Sequence, residues 1–359
     1  MILRIPDYYE EFKCSADWCK DSCCIGWEIN IDEDTHDYYK NADGEIGTRL
    51  RENMYENEEG EWSFRLAKNR RCPFLNASNL CDICIHMGEE ALSEVCTEYP
   101  RFSLGYADVI QKCLSLSCEE AGRLLFSKEE PVRFLEIELV GECEEDDFEL
   151  KMFLEHVMAE LFKILQDRNR GLKERMNRYL SYLSFIQKLI NEEDYLNSRF
   201  YGQEELGDTI PLLKFTLLEP SYNRHKIRMQ ILGELEVLDK EWQNVYDKMK
   251  DRWSESTYND SLLAFYESGA YKEMDYENLM VYFTFRYFMN AYYNLDVLSY
   301  GRLAVVFTRM VCDMDMLFYE ENGGAFSRAD RVDTARIFSK EVEHSEENVE
   351  YIREELMFL

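Results

Sequence analysis

The chain has 359 residues and a formal net charge of −31, from 72 acidic and 41 basic side chains. Hydrophobic residues make up 46% and aromatics 14%, which excludes a disordered polymer and suffices for about two packed domains. Phosphate repels such a charge at long range, so neither nucleic acid nor an anionic membrane is an expected partner.

The N-terminus, MILRIPDYYEEFK, reaches Pro6 and acidic residues without an apolar run. Nowhere does the chain approach the ~20 consecutive apolar residues that span a bilayer. The expectation is a cytoplasmic protein whose thiols stay reduced. "GWEINI", residues 26–31, alternates as a short strand does, and "DEDTHDYYKN" follows as a helix capped by Asp32 or Asp34. "GEEALSEVC" has helical spacing, and "RFSLGYADVIQKCLSLSC" divides into two strands around Gly105. Ser117 and Glu120 frame a capping-box start for "SCEEAGRLLFS".

The acidic stretch 141–149 marks the predicted boundary between a cysteine-rich domain, residues 1–145, and a helical domain, residues 146–359. Helical periodicity then governs "FELKMFLEHVMAELFKILQD" and the segments 173–191, 223–250, 275–295 and 299–319. The fold class is mainly α: an irregular, metal-binding N-terminal module with short strands, followed by a helical bundle.

Eleven of the twelve cysteines lie in the first 143 residues. In a reducing compartment such crowding points to metal or catalysis rather than disulfides. Cys14, Cys19, Cys23 and Cys24 form one arm, Cys72, Cys81 and Cys84 a second, Cys96 a third, and Cys113 with Cys118 a fourth. Tetrahedral thiolate sites suit zinc and iron–sulfur clusters alike, and the spacing does not choose between them. Adjacent Cys23 and Cys24 diverge too far to share one metal and suit two sites. Trp27, beside them, is positioned to shield such a site from water. Position 26 is Gly, so the radical-SAM triplet is absent, and no strand–GxGxxG–helix occurs.

The blocks "CSADWCKDSCCIGWEINID", "CPFLNASNLCDIC", "LSEVCTEYPRF" and "LSLSCEEA", with "ENLMVYFTFRYF" and "FSKEVEHSEEN" downstream, resemble the flagellin lysine-N-methylase family, which is related to zinc- or iron-chelating cysteine-cluster proteins. The resemblance runs through the whole chain in order. It implies methyl transfer from S-adenosylmethionine to lysine ε-amines on flagellin, with a cysteine-bound [4Fe–4S] cluster. By position it implies metal ligation by Cys14, Cys19, Cys23, Cys24, Cys72, Cys81, Cys96 and Cys118, leaving Cys84, Cys113 and Cys143 as extras.

Methyl transfer needs a neutral lysine, whose ordinary pKa is roughly 10.4, so the site must desolvate it or supply a base. The candidates are Glu341, Glu343 and His344 for catalysis, with Asn348 on the same face if the segment is helical. Arg286 suits the donor's carboxylate, as does Arg101 after Cys96. Tyr282, Phe285, Phe288 and Tyr292 could wall a cationic slot, although aromatic stripes at helical spacing are more often core. Two other classes fit the same chain: a non-enzymatic zinc- or iron-chelating interaction module, and an iron–sulfur redox protein.

Overall fold

A computed structural model describes residues 1–26, 28–58, 60–141, 147–193 and 210–358. The chain opens with strand β1 (Ile2–Pro6), then β2 (Asn30–Ile31), helices α1 (Glu33–Asn41) and α2 (Gly44–Asn53), and strands β3 (Met54–Glu56) and β4 (Trp62–Phe64). Short helices α3 (Asp82–Met87) and α4 (Glu94–Glu98) lead to the hairpin β5 (Arg101–Tyr106) and β6 (Val109–Leu114), helix α5 (Glu119–Ser127) and strand β7 (Phe134–Glu138). The rest is helical: α6 (Phe148–Leu165), α7 (Leu172–Asn191), α8 (Tyr222–Leu232), α9 (Lys240–Arg252), α10 (Tyr258–Glu267), α11 (Glu273–Tyr287), α12 (Ala291–Asn294), α13 (Val297–Glu321), α14 (Arg328–Phe338) and α15 (Glu346–Glu355). The mainly helical expectation is met.

Two small sheets carry the strands, one ordered β5-β6-β1-β7 and the other β2-β4-β3. In the first, β1 runs parallel to β6 with Arg4 beside Gln111, and the other pairs are antiparallel. Alternation buries Val109, Gln111 and Cys113 on one face of β6. The hairpin turns at Ala107 and Asp108, with Ala107 at φ 45°, while Gly105 pairs with Ile110 inside the ladder. The predicted turn at Gly105 is therefore two residues early. Asp32 caps α1 by accepting from the Thr35 amide at 2.9 Å, as expected.

Among the described residues there are two cores. A small one, in residues 29–91, gathers Ile29, Tyr39, Leu50, Phe64 and Phe74. The large one surrounds α13 and takes Tyr106, Val109 and Leu125 from the N-terminal part together with the helical bundle. It thus draws on both sides of the anticipated boundary, most of which, residues 142–146, lies outside the described residues with Cys143. Gly233 and the Asp239 cap divide the predicted 223–250 helix into α8 and α9. The predicted helix 275–295 ends at Tyr287 and continues as short turns until Leu295, at φ 57°.

α13 carries two carboxylates into the large core, and each is saturated, as burial demands. Asp313 takes Arg228 bidentately, Tyr258 at 2.8 Å and His225 at 3.1 Å. Asp315 takes Arg331, Tyr276 at 2.9 Å and Thr334 at 2.6 Å. These contacts lock α8, α10, α11 and α14 onto α13.

Candidate active site

Four segments converge beside the inner face of β5–β6. The hairpin brings Phe102, Gln111 and Cys113, and the turn after β6 brings Ser115 and Ser117. α11 brings Tyr282 and Arg286. The fourth segment is a π-turn, Ser339–Glu343, that continues α14 and ends at His344. Phe102, Gln111, Cys113, Arg286, Glu343 and His344 line a cavity of about 420 Å³, reached also by Tyr287, Asn290 and, from α15, Glu346 and Glu350. That volume lies in the range of small-molecule sites.

The cavity is edged by buried polar atoms that the protein leaves without hydrogen bonds. Arg286, 8% exposed, gives one N–H to the Glu343 carbonyl at 3.0 Å, and its Nη1 lies 3.9 Å from Glu343 Oε2, yet neither Nε nor Nη1 has a hydrogen-bond partner. Its Cζ lies 3.0 Å from the centroid of the Phe102 ring. Glu343 Oε2 accepts from Tyr282 at 2.7 Å and from Ser339 at 3.0 Å, whereas Oε1 has no partner. Gln111 donates to the Phe285 carbonyl and keeps its own oxygen unpartnered. Each such atom costs on the order of 1–3 kcal/mol if left dry and unpaired. Several around one cavity are the signature of a polar ligand's seat.

Burial raises the Glu343 carboxyl above the ordinary carboxylate range, against Arg286, Tyr282 and Ser339, which favour its charge. Burial, reinforced by Arg286 and Lys340, lowers His344 to about 3, so its imidazole is neutral at physiological pH. His344 Nε2 sits 2.9 Å from Ser115 Oγ and 2.8 Å from Ser117 Oγ. Burial holds Tyr282 well above its ordinary value, so its hydroxyl remains a donor. The Cys113 thiol is pushed up to about 12 by burial and stays protonated.

Of the sequence candidates, Glu343, His344, Arg286 and Tyr282 meet here. Glu341 does not. Its carboxylate accepts from the backbone of Leu238 and Asp239 at 2.8 and 3.0 Å, just ahead of α9. Asn348 bonds the carbonyls of Glu236 and Glu341, because the π-turn and the break at His344 destroy the single helical face on which the two were aligned. Arg101 donates to the Thr97 carbonyl and lies over Phe12, away from the cavity. The aromatic stripe is core: Phe285 stacks on Phe134 at 4.3 Å, Phe288 is buried, and Tyr292 accepts from the Asp147 amide. Ser345 caps α15 through the Asn348 amide, and Ile352 and Leu356 pack inward. The Ser117–Glu120 capping box does not form. Cys118 is the N-cap residue of α5, Ser117 serves His344, and Glu120 binds Arg123.

Sequence reasoning missed Ser115, Ser117, Ser339 and Gln111. The available signal was the serine pair in "LSLSC", polar residues in the turn that follows β6.

The thiols fall into two neighbourhoods. Cys72 belongs to the small core, with Cys24, Cys81 and Cys96 packed against it. Cys118 packs on the large core and has Cys14 and Cys19 as neighbours, while Cys23 adjoins Cys14, Cys118 and Cys24. Asp21, in the same loop, is held by Lys340 at 2.6 Å and Arg336 at 2.8 Å, which docks the first cysteine arm beside the π-turn. Every described cysteine is free. Among the described residues no three Cys, His, Asp or Glu side chains are placed to hold one metal ion. No step below runs through a metal ion or a cluster. Trp27 lies outside the described residues.

Residues 159–358, which include Tyr282, Arg286, Ser339, Glu343 and His344, match the FliB lysine N-methylase C-terminal domain. Among curated proteins, 120 residues of the chain are 32% identical to the flagellar biosynthetic protein FliU of Salmonella muenchen, covering 32% of this chain and 71% of that protein. A lysine-N-methylase of Salmonella typhimurium is 31% identical over 120 residues, as is one of Salmonella choleraesuis. The match covers 32% of this chain but only 30% of either methylase. No solved structure matches the chain. The fold and cavity define a mainly helical protein with a polar cavity edged by buried, unbonded polar atoms. The chain belongs to the FliB lysine N-methylase family.

No described helix is long and apolar enough to cross a membrane.

Proposed function

We propose that this protein is a cytoplasmic methyltransferase that moves a methyl group from S-adenosylmethionine to lysine ε-amines of flagellin, within the cavity beneath Arg286 and Glu343. The observation that carries the reading is the set of unpartnered atoms there: Arg286 Nε and Nη1, Glu343 Oε1 and Gln111 Oε1. Family membership supplies the reaction class, and the flagellar name of one relative supports the substrate.

S-Adenosylmethionine brings an electrophilic methyl on a sulfonium. The residues bind and orient around that chemistry. Arg286 offers two N–H groups to the donor's carboxylate, in the fork geometry guanidinium provides. Its cationic neighbourhood also disfavours a lysine ammonium. Glu343 removes the ammonium proton through Oε1, and burial raises its affinity for that proton above that of an ordinary carboxylate. Tyr282 and Ser339 hold Oε2 so that Oε1 is presented at a fixed place. The C–S bond then breaks as the C–N bond forms, with no radical required. A cysteine-bound [4Fe–4S] cluster is proposed to accompany the site, with zinc as the alternative metal.

Anaerobically purified protein, labelled donor and flagellin test the proposal. Wild type is expected to label lysine, Glu343→Gln to lower kcat by about 10²–10⁴-fold, and Arg286→Met to weaken donor binding by at least about tenfold. Absence of both donor binding and label transfer in the wild type would overturn the reading. Iron with matching sulfide in the same preparation supports the cluster. Stoichiometric zinc without sulfide makes the thiols a structural staple.

A further inference from the structure

The sheet β5-β6-β1-β7 has two outer strands, and they differ as edges. β7 carries Glu136 and Glu138, both exposed, and Arg4 binds Glu136 at 2.7 Å. Charges on an edge discourage a further strand from pairing there. After Arg101, β5 runs Phe102-Ser103-Leu104-Gly105-Tyr106, with no charge and no proline. Among the described residues no strand pairs with its outer side.

The hairpin decides which backbone groups that side presents. Its two-residue turn makes Tyr106 and Val109 the hydrogen-bonded pair that closes it. Antiparallel ladders alternate, so Leu104 with Gln111 and Phe102 with Cys113 are bonded likewise. Ser103 and Gly105 therefore turn their N–H and C=O groups outward. The Tyr293 hydroxyl takes the Gly105 carbonyl, which closes the edge at that end. Ser103 is exposed, and among the described residues no backbone group bonds its outward pair.

This edge borders the cavity. Phe102 and Leu104 share the face of Gln111 and Cys113, whereas the Ser103 side chain points to the opposite face. All three residues nevertheless line the cavity, so the backbone between Phe102 and Leu104 belongs to its wall. Phe102 also touches the polar end: Arg286 lies over its ring, and the His344 ring centroid is 5.0 Å away. From α15, Glu346, Val349 and Glu350 complete the lining, and both glutamates are exposed, Glu350 in a pair with Arg353.

We propose that the outer edge of β5 is where the protein substrate docks: an extended, lysine-bearing segment pairs with Ser103 as an added strand. The identity of this occupant rests on the methyltransferase reading. Only extended chain satisfies an outward N–H and C=O on one residue together. Paired strands lie about 4.8 Å apart and alternate their side chains. The residues flanking the one opposite Ser103 thus face as Phe102 and Leu104 do, and a lysine beside Phe102 enters the cavity next to Arg286 and Glu343. The exposed carboxylates of Glu346 and Glu350, and the net charge of −31, complement a basic segment. Tyr293 limits the paired stretch to a few residues, so the lysine's seat in the cavity decides which segments are held.

The probes are nine-residue peptides tiled along flagellin, each with at least one lysine, and intact flagellin. At least one peptide should bind, and N-methylation of its single amides should act with a period of two. Binding should weaken about tenfold where the amide faces Ser103 and change little at the amides beside it. Ser103→Pro removes the outward N–H and leaves the ladder to β6 whole. It should weaken the peptide and raise KM for flagellin about tenfold, with S-adenosylmethionine binding unchanged. The peptide series decides the matter if that variant fails to fold. N-methylation tolerated everywhere, or equally harmful everywhere, overturns the added strand, as does unchanged peptide affinity in folded Ser103→Pro. Methylation of intact flagellin with no peptide bound overturns it too and leaves the enzyme reading in place. Binding with a period of two but no label transfer defeats the enzyme reading and leaves the docking edge. Neither binding nor methylation defeats both. A dimer that Ser103→Pro dissolves, with no peptide bound, gives the edge to a second copy and overturns the proposal.

Discussion

Gly301→Ala sets two known effects against each other. Gly301 lies in α13 where α7 crosses it, and a methyl group there would overlap Cδ1 of Leu183 and come within 3.2 Å of Tyr179 Cε1. Leu183 and Tyr179 are both 0% exposed, so neither has room to withdraw. Replacing a mid-helix glycine by alanine ordinarily gains about 1 kcal/mol. Overpacking a close-fitted core costs about 1–3 kcal/mol. With an outright overlap the cost lies in the upper part of that range, giving a net loss of about 1–2 kcal/mol, or roughly 5–30-fold in the folded-to-unfolded ratio. Urea unfolding of the purified protein measures it. The decisive comparison is the Leu183→Ala background, where the space vacated accepts the methyl. There Gly301→Ala should become neutral or stabilising. Equal or greater stability of Gly301→Ala in the wild-type background, or the same loss in both, would refute the argument. The effect reaches the cavity, because the Tyr179 hydroxyl is 3.0 Å from Thr284 on α11, the helix that carries Tyr282 and Arg286.

Asp313→Ala leaves Arg228 charged and buried without its carboxylate, and is expected to cost about 3–5 kcal/mol in the same unfolding assay. A loss no larger than that of an exposed aspartate would contradict it. Glu341 gives a pH signature. Burial raises its carboxyl from 4.5 to about 7, and the Leu238 and Asp239 amides only partly oppose this. The folded state therefore binds the proton more tightly than the unfolded chain, so this group's stabilisation is complete below pH 4.5 and is lost as pH rises through about 7. Glu341→Gln should flatten that decline. Identical pH profiles for variant and wild type would show that Glu341 does not carry it.

Much of the helical half was legible because long amphipathic segments announce themselves. α6, α7 and α13 fall within a few residues of their periodicity. Helices α8 and α9 were merged, since a single glycine inside an apolar run is a weak break compared with the tertiary contacts that use it. At the site, Arg286 was conspicuous as a cation in an aromatic stripe, and Glu343 and His344 as members of a polar cluster. What the sequence could not separate was Glu341 from Glu343. Two residues apart in a dense acidic block, they look equivalent, yet one is tied to the backbone ahead of α9 and the other to Tyr282 under a cavity. The serines were invisible for a related reason, since a hydroxyl acquires meaning only from what lies opposite it.

The π-turn at Ser339–Glu343 has a consequence that concerns length more than chemistry. A π-turn accommodates one residue beyond the α-helical frame, and a residue in that frame is worth about 100° of rotation. The bearing of Glu343 and His344 toward the cavity is therefore a matter of angular phase, set by counting residues from the start of α14. Exchanging Val342 for another apolar residue keeps that phase. Deleting any one residue between 339 and 343 relaxes the turn to an ordinary helix and swings the carboxylate off its bearing with every functional side chain still present. This stretch should thus admit changes of letter far more readily than changes of length.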